Sequence, residues 1–186
     1  MNLRISAGKY KNKRLKVSRS ARPVMERTKL AVFSIIGDQI IGKNCLDLYA
    51  GSGNLGLEAL SRGAGSCTFI DSDKFAVEAI LENIQNLDPD GSQGLSESTE
   101  VKNEEVLKFL GNTQEYYDVA FVDAPYDMPV NHLLKLFHES INIDGLLIFL
   151  HKKDKKWDIG QYNNCLKVID SRIYGITQVD FMHRSC

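Results

Sequence analysis

The sequence predicts an α/β fold in which a mostly parallel β-sheet is covered by helices on both faces. Short apolar stretches typical of buried strands alternate along the chain with longer stretches whose apolar residues recur at helical spacing. A glycine-rich loop joins the first of these strands directly to a helix, as is usual in parallel α/β sheets. Two β-rich segments near the end, separated by Gly175, predict an antiparallel hairpin at the sheet edge.

The individual elements follow from apolar periodicity and from the positions of glycine and proline. The first helix is predicted over residues 24–38, directly after Pro23. The first strand, Cys45–Ala50, runs into the loop Gly51–Gly56 and a helix that ends near Gly63. The later strands are predicted at 67–71, near Val101, and at 119–123, 146–151, 165–174 and 177–182, and the later helices at 74–87, 104–110 and 130–141. The polar segment 88–99 is predicted to be a loop without a chemical role. We expect one domain, residues 1–186, with a basic β extension at 1–22 and an α/β core at 23–186 that contains a seven-stranded sheet.

The composition is that of an ordinary globular domain, with 186 residues, 43% of them hydrophobic and 25% charged. The longest apolar run, Leu146–Leu150, is far shorter than the roughly 20 residues of a membrane-spanning helix. The first residues also lack the apolar core of a signal peptide. We therefore expect a cytoplasmic protein that does not bind a membrane.

The cysteines and histidines do not indicate a metal site. None of the four cysteines has a C-x-x-C partner, and none of the four histidines belongs to an H-E-x-x-H motif. Cys45 and Cys67 fall in apolar stretches, where cysteine usually acts as a small hydrophobic residue. We expect reduced thiols and no metal.

The charges are distributed unevenly along the chain. Residues 1–29 carry a net charge of +9, whereas the remainder carries −10. A basic arm on an acidic body is typical of proteins that bind nucleic-acid phosphates. A solvated charged tail is the alternative, but Ile5, Tyr10 and Leu15 alternate with the charges, which favours a small hairpin with one packed face and one basic face.

Gly51, Gly53 and Gly56 form the pattern G-x-G-x-x-G after a predicted strand and before a predicted helix. In that context the pattern indicates a ligand-binding loop, because glycines let the backbone approach a ligand closely. The ligand could be the pyrophosphate of a dinucleotide or the adenosine and methionine parts of S-adenosylmethionine. The loop alone does not choose between these cofactors, and a plain tight turn remains an alternative.

Two aspartates lie near this loop in the sequence. Asp71 ends the second predicted strand, 20 residues after Gly51, where an acid can accept both ribose hydroxyls of an adenosine. Asp47 places a charge in an otherwise apolar strand, which is costly unless the charge is paired. We expect Asp47 to face the cleft and meet the methionine ammonium group; pairing with backbone amides of the glycine turn is the alternative.

The fourth predicted strand ends in Asp123-Ala124-Pro125-Tyr126. Since ligands gather beyond the carboxyl ends of parallel strands, this segment should share a crevice with the glycine loop. The Asp123 carboxylate and the Ala124 carbonyl could accept hydrogen bonds from the exocyclic amine of a base, and Tyr126 could stack on the base. An ordinary strand-ending turn is the alternative.

Several of these motifs together resemble the bacterial family that methylates guanine N2 in small-subunit ribosomal RNA. Residues 4–15 are similar to its basic N-terminal segment, and Arg22-Pro23 followed by Glu26-Arg27 is similar to the opening of its first helix. Leu46–Ala64 is the longest match, and residues 172–177 resemble the closing hairpin. The chain departs from the family pattern at Ala124, where the family has proline, and at Val24, Met25 and Leu30, which replace two threonines and an acid.

The resemblance implies a Rossmann-like class I methyltransferase fold, S-adenosylmethionine as methyl donor, and ribosomal RNA on an assembling small subunit as partner. We also expect a monomer. The residues expected to bind the cofactor are Asp47, Ala50, Gly51, Ser52, Gly53, Gly56, Asp71, Ser72 and Glu105. The residues expected to contact RNA are Arg4, Lys9, Lys11, Lys13, Arg14, Arg22 and Arg27. Three alternatives remain open: methylation of adenine N6 in DNA, methylation of a glutamine amide in protein, and a non-catalytic RNA-binding assembly factor.

Overall fold

A seven-stranded sheet with strand order β3-β2-β1-β4-β5-β7-β6 forms the centre of the protein. The structure, a computed structural model, describes residues 3–18, 26–126, 141–153 and 166–184. Strands β1 to β5 pair in parallel, and β7 runs antiparallel to both β5 and β6, as the sequence predicts. The strands are β1 Asn44–Leu48, β2 Ser66–Asp71, β3 Thr99–Asn103, β4 Tyr117–Asp123, β5 Ile141–Lys152, β6 Leu166–Tyr174 and β7 Thr177–Arg184.

The helices of the described ranges are α1 Glu26–Ile36, α2 Asn54–Ser61, α3 Lys74–Leu87 and α4 Val106–Asn112. A short 3-10 turn, Gly37–Ile40, continues α1. Helix α4 starts two residues later than predicted, because the Glu104 N–H donates to the Asp71 carbonyl at 3.1 Å and holds that residue outside the helix. The predicted helix at 130–141 lies outside the described residues except for Ile141, which begins β5 instead. Residues 19–25, with Arg22 and the predicted start of α1, also lie outside them.

Alternate residues of the central strands pack against opposite helical layers, as a strand with both faces covered requires. Leu46 and Leu48 pack on the side of α4 with Phe109. Cys45 packs on the other side, with Phe33 of α1 and Ile80 of α3. Because both faces of the sheet are buried, ligands have access to it at the strand ends.

The basic extension forms the hairpin that its alternating pattern predicts. The Ile5 N–H donates to Lys13 O and the Leu15 N–H donates to Leu3 O, both at 2.9 Å. Leu3, Ile5, Tyr10 and Leu15 are buried, whereas Lys9, Lys11, Lys13 and Arg14 are exposed. At the tip, Gly8 has φ +80° and lies so close to α2 that a Cβ would be 1.7 Å from Ser61 O. The extension therefore packs directly on the core.

The segment 88–99 is ordered by one buried carboxylate. Asp88, 5% exposed, accepts hydrogen bonds from the backbone N–H groups of Gln93 at 3.2 Å and Leu95 at 3.0 Å. Leu95 itself joins the hydrophobic core. None of the helices in the described ranges has the length and apolar character needed to cross a membrane.

Candidate cofactor and catalytic site

The strand order creates a crevice between the carboxyl ends of β1 and β4. The chain builds the sheet outward in one direction from β1 through β2 and β3 and in the other direction from β4, and open α/β sheets bind ligands at such a reversal. Leu48 pairs with Ile70 on one side and Val122 on the other. Asp71 and Asp123, each one residue further along, therefore lie at the same level, two strand spacings or roughly 10 Å apart.

The glycine loop spans the top of β1. Gly51 has φ 58° and Gly53 has φ 73°, a conformation that favours glycine. The Gly53 N–H donates to Ala50 O at 2.7 Å and closes the turn. Gly56 has a different role, since a Cβ there would be 2.3 Å from Phe69 Cε1. Because Gly56 has no Cβ, α2 can pack tightly on β2.

Asp71 is fixed in the position predicted for a ribose-binding acid. Its Oδ2 accepts a hydrogen bond from the Gly51 N–H at 2.8 Å, and its Oδ1 accepts one from the Asp73 N–H at 2.9 Å. A carboxylate has about four lone-pair sites, so these two bonds leave acceptor capacity for a ligand. The loop and the acid thus orient each other before any cofactor binds.

Asp47 is buried beneath the loop, with 2% of its surface exposed. Its Oδ2 accepts a hydrogen bond from the Gly56 N–H at 2.9 Å, which is the backbone pairing considered as an alternative above. Burial raises the pKa of Asp47 well above its usual range; the Gly56 N–H opposes this shift, and the carboxylates of Asp123 and Asp71 add to it. A cation in the crevice would therefore stabilise the ionised form of Asp47.

The segment Asp123–Tyr126 turns across the other side of the crevice. Burial raises the pKa of Asp123, which is half-buried at the end of β4, to about 7. Ala124 is buried and Pro125 is exposed. The hydroxyl groups of Tyr126 and Thr177 are hydrogen-bonded at 2.6 Å, so the first residue of β7 holds the tyrosine.

Ser52 links the glycine loop to the basic hairpin. Its Oγ accepts a hydrogen bond from the Ser18 N–H at 2.8 Å, and its carbonyl accepts one from the Asn83 side chain at 3.0 Å. Asn83, fully buried in α3, also bonds both the N–H and the carbonyl of Lys16. The sequence interpretation missed Asn83, although a polar residue on the apolar face of α3 is a recognisable signal.

A surface cavity of about 390 Å³ lies beside Asp71, and both Ser72 and Glu105 line it. Tyr49, another residue missed in the sequence, directly follows β1. It has an unusual φ of 58°, and burial, with the nearby Glu105 and Asp71, raises its pKa to about 12. Its position directly before Ala50 and the glycine loop was the available signal.

The cations of the hairpin are placed unevenly relative to the crevice. The hairpin tip packs at the last residue of α2, where the Lys9 N–H donates to Ser61 O at 2.7 Å, whereas the glycine loop lies at the first turn of α2. Eight helical residues span about 12 Å, so the tip is distant from Asp123. Arg4 is exposed and pairs with Glu26 at 3.1 Å, and Arg27 is exposed on α1.

Within the described ranges, no group of three His, Cys, Asp or Glu side chains could hold a metal ion. The absence of a metal from the reaction stays a prediction.

Comparison with known proteins shows the family. The sequence model of the family described as "Conserved hypothetical protein 95" matches residues 3–183. The chain belongs to this family. This match, with the relatives named below, confirms the family inferred from the sequence motifs, and the sheet order confirms the Rossmann-like fold with its C-terminal hairpin; methylation at guanine N2 stays a prediction.

Two relatives of this chain are named as methyltransferases. The chain is 30% identical over 185 residues to "Putative rRNA methyltransferase YlbH" of Bacillus subtilis, covering 95% of this chain and 96% of that protein. It is 38% identical over 128 residues to ribosomal RNA small subunit methyltransferase D of Haemophilus influenzae, covering 67% of this chain and 64% of that protein. Among solved structures, the hypothetical protein TTHA0928 of Thermus thermophilus is 29% identical, with a TM-score of 0.79 over 96% of this chain and 97% of that one.

Proposed function

We propose that this protein transfers the methyl group of S-adenosylmethionine to the exocyclic N2 amine of a guanine in small-subunit ribosomal RNA. One observation carries the proposal: the glycine loop with Asp71 and the segment Asp123–Tyr126 meet at a single crevice. The methyltransferase names of the relatives, one of them acting on the small-subunit RNA by its name, support the reaction and the substrate class.

The residues of the crevice fit the methyl donor. Gly51 and Gly53 let the backbone approach it, Asp71 is oriented to accept its ribose hydroxyls, and Ser72 and Glu105 line the adjoining cavity. S-adenosylmethionine carries positive charge on its sulfonium and its ammonium group, and the bound donor would supply an electrophilic methyl group. Three carboxylates, Asp47, Asp71 and Asp123, surround that crevice and would stabilise such a cation.

On the acceptor side, the Asp123 carboxylate and the Ala124 carbonyl would accept hydrogen bonds from the two N–H groups of the amine. The nitrogen lone pair of a base amine is delocalised into the ring, so its alignment with the methyl group matters; such positioning can be worth about 7–11 kcal/mol. The bound donor would supply the methyl group for a new N–C bond and would leave as S-adenosylhomocysteine, and Asp123 would take up the amine proton that is lost and pass it to solvent. Tyr126 would stack on the flipped base, an interaction worth about 1–3 kcal/mol. Alanine at 124 keeps the carbonyl, so this departure from the family pattern is compatible with catalysis.

The basic hairpin and the start of α1 would hold the RNA. The hairpin contacts would be Arg4, Lys9, Lys11, Lys13 and Arg14, and the contact on α1 would be Arg27; Arg22 lies outside the described residues. An assembling small subunit as substrate and a monomeric enzyme belong to the same proposal. The hairpin's cations argue against a protein substrate.

Labelled S-adenosylmethionine incubated with small subunits and with naked small-subunit RNA tests the proposal. Nucleoside analysis should find the label in N2-methylguanosine, and the Asp123→Ala variant should lose more than about 99% of turnover while its affinity for S-adenosylhomocysteine changes by less than about threefold. Label in N6-methyladenosine or in protein would assign another substrate. RNA binding without any label would favour the assembly-factor alternative, and near wild-type turnover in Asp123→Ala would refute the role of that carboxylate.

A further inference from the structure

Two exposed lysines, Lys152 and Lys153, lie at the carboxyl end of β5 beside the candidate base-binding turn. Lys152 is paired with Thr177, whose hydroxyl is 2.6 Å from that of Tyr126. The Lys153 N–H donates to Ile176 O at 3.0 Å, which holds the residue before β7 against the end of β5. Both lysine backbones therefore have defined positions next to Tyr126.

The strand register gives the position of the two lysines along the strand direction. Asp123 pairs with Leu150, two residues before Lys152. At about 3.3 Å per strand residue, Lys152 lies roughly 7 Å beyond the level of Asp123, on the open side of the crevice. The two lysines thus form part of the rim through which a base would enter.

The charges of this rim are not neutralised by ion pairs within the described part of the chain. The acids of the neighbouring strands β6 and β7 have other partners: Asp180 pairs with His151 at 2.8 Å, and Asp170 pairs with Arg172 at 3.2 Å. Lys152 and Lys153 therefore place two adjacent, exposed positive charges at the rim. Adjacent cations attract phosphate.

The tip of the basic hairpin is less well placed to bind the phosphates next to a base in the crevice than the rim lysines are. The hairpin tip packs at the far end of α2, about 12 Å from the glycine loop. A base turned into the crevice brings its own two phosphates to the rim, because the sugar connects them covalently. Lys9 and Lys11 at the hairpin tip therefore lie farther from those phosphates than the rim lysines do.

We propose that Lys152 and Lys153 bind the phosphates that flank the target nucleotide, forming a second RNA contact separate from the N-terminal hairpin. The proposal rests on the proposed function, because it takes the base to enter beside Tyr126. It assigns the two ends of the RNA interface different tasks: the hairpin supplies distant attraction, and the rim holds the nucleotide that reacts.

The double variant Lys152→Ala/Lys153→Ala tests this against a matched control, Lys43→Ala/Lys167→Ala. The control removes the same charge from exposed lysines at the opposite, amino edge of the sheet. For binding to small-subunit RNA, the rim variant should lower the slope of log affinity against log salt by about 1.4–1.8, since each phosphate contact contributes about 0.7–0.9. Its KM for RNA should rise at least about tenfold, with unchanged affinity for S-adenosylhomocysteine.

A sharper test uses an RNA fragment that contains the guanine found to receive the labelled methyl group. The two phosphates that flank this guanine are replaced by neutral methylphosphonates. Wild type should lose about as much affinity for this fragment as the rim variant loses for normal RNA, and the rim variant should be insensitive to the replacement. Equal sensitivity of the two proteins, or a rim variant that behaves like the control, would overturn the proposal. If wild type transfers no label, the proposed function fails instead, whatever the salt slopes are.

Discussion

At the scale of single residues, Asp123 connects environment to reactivity most directly. Burial raises its pKa to about 7, whereas its proposed role requires the ionised carboxylate as an acceptor. We therefore expect kcat/KM to rise about tenfold per pH unit below 7 and to level off above it. Steady-state kinetics between pH 5.5 and 9 would measure this, and a flat profile through that range would contradict the role.

The Asp123→Asn variant provides the control for this titration, because it removes the charge and keeps one acceptor oxygen. In wild type, the folded state holds a proton between about pH 4 and 7 that the unfolded state has lost, so the free energy of unfolding falls as pH rises through this window. Relative to wild type, the variant should therefore become more stable as pH rises to 8. Thermal unfolding of both proteins at pH 5.5 and 8 would test this; a stability difference that is the same at both pH values would contradict it.

At the scale of elements, the basic hairpin and the glycine loop are parts of one assembly. Asn83 makes three hydrogen bonds, two to the Lys16 backbone and one to Ser52 O. We expect Asn83→Ala to weaken binding of S-adenosylhomocysteine about tenfold, because the loop loses its support on the hairpin side, and to lower the free energy of unfolding by about 1–3 kcal/mol. Titration calorimetry well below the unfolding temperature would separate the two effects.

Asn86→Ala is the matched control, since it makes the same substitution on the exposed face of the same helix. It should leave both cofactor affinity and stability near wild type. Should Asn83→Ala lose stability alone, with cofactor affinity equal to that of Asn86→Ala, the loop would be shown to hold its shape without the hairpin.

The elements also show how far local sequence information extends. Helix α3 was predicted at its observed bounds, because its apolar spacing is regular and Asp73 caps it by accepting from the Phe75 N–H. The glycine loop, Asp71 and Asp123 converge as predicted, since parallel sheets bring strand ends together. The link between Lys16 and Asn83 joins residues 67 positions apart, and the long start of β5 depends on pairing with Tyr117. Neither is encoded in local periodicity, so neither could be predicted.

At the scale of the whole molecule, the net charge of the first 29 residues overstates the field that reaches solvent. Lys29 is fully buried and pairs with Glu58 at 3.0 Å while donating to Arg4 O and Asn54. Burial lowers the pKa of this lysine, although Glu58 opposes the shift. Lys29 therefore anchors the hairpin to α1 and α2, and it does not add to the exposed positive charge of the hairpin.

Four hairpin cations can be replaced together without removing the Lys29 anchor, because the side chains of Lys9, Lys11, Lys13 and Arg14 are all exposed. Their replacement by alanine should weaken RNA binding and lower the salt slope by up to about 3, while cofactor affinity stays unchanged. A quadruple control at exposed lysines elsewhere, Lys43, Lys74, Lys108 and Lys167, should lower the slope much less. An unchanged slope in the hairpin variant would remove the hairpin from the RNA interface. RNA attraction would then have to come from cations elsewhere, with Lys152 and Lys153 at the crevice rim as the first candidates.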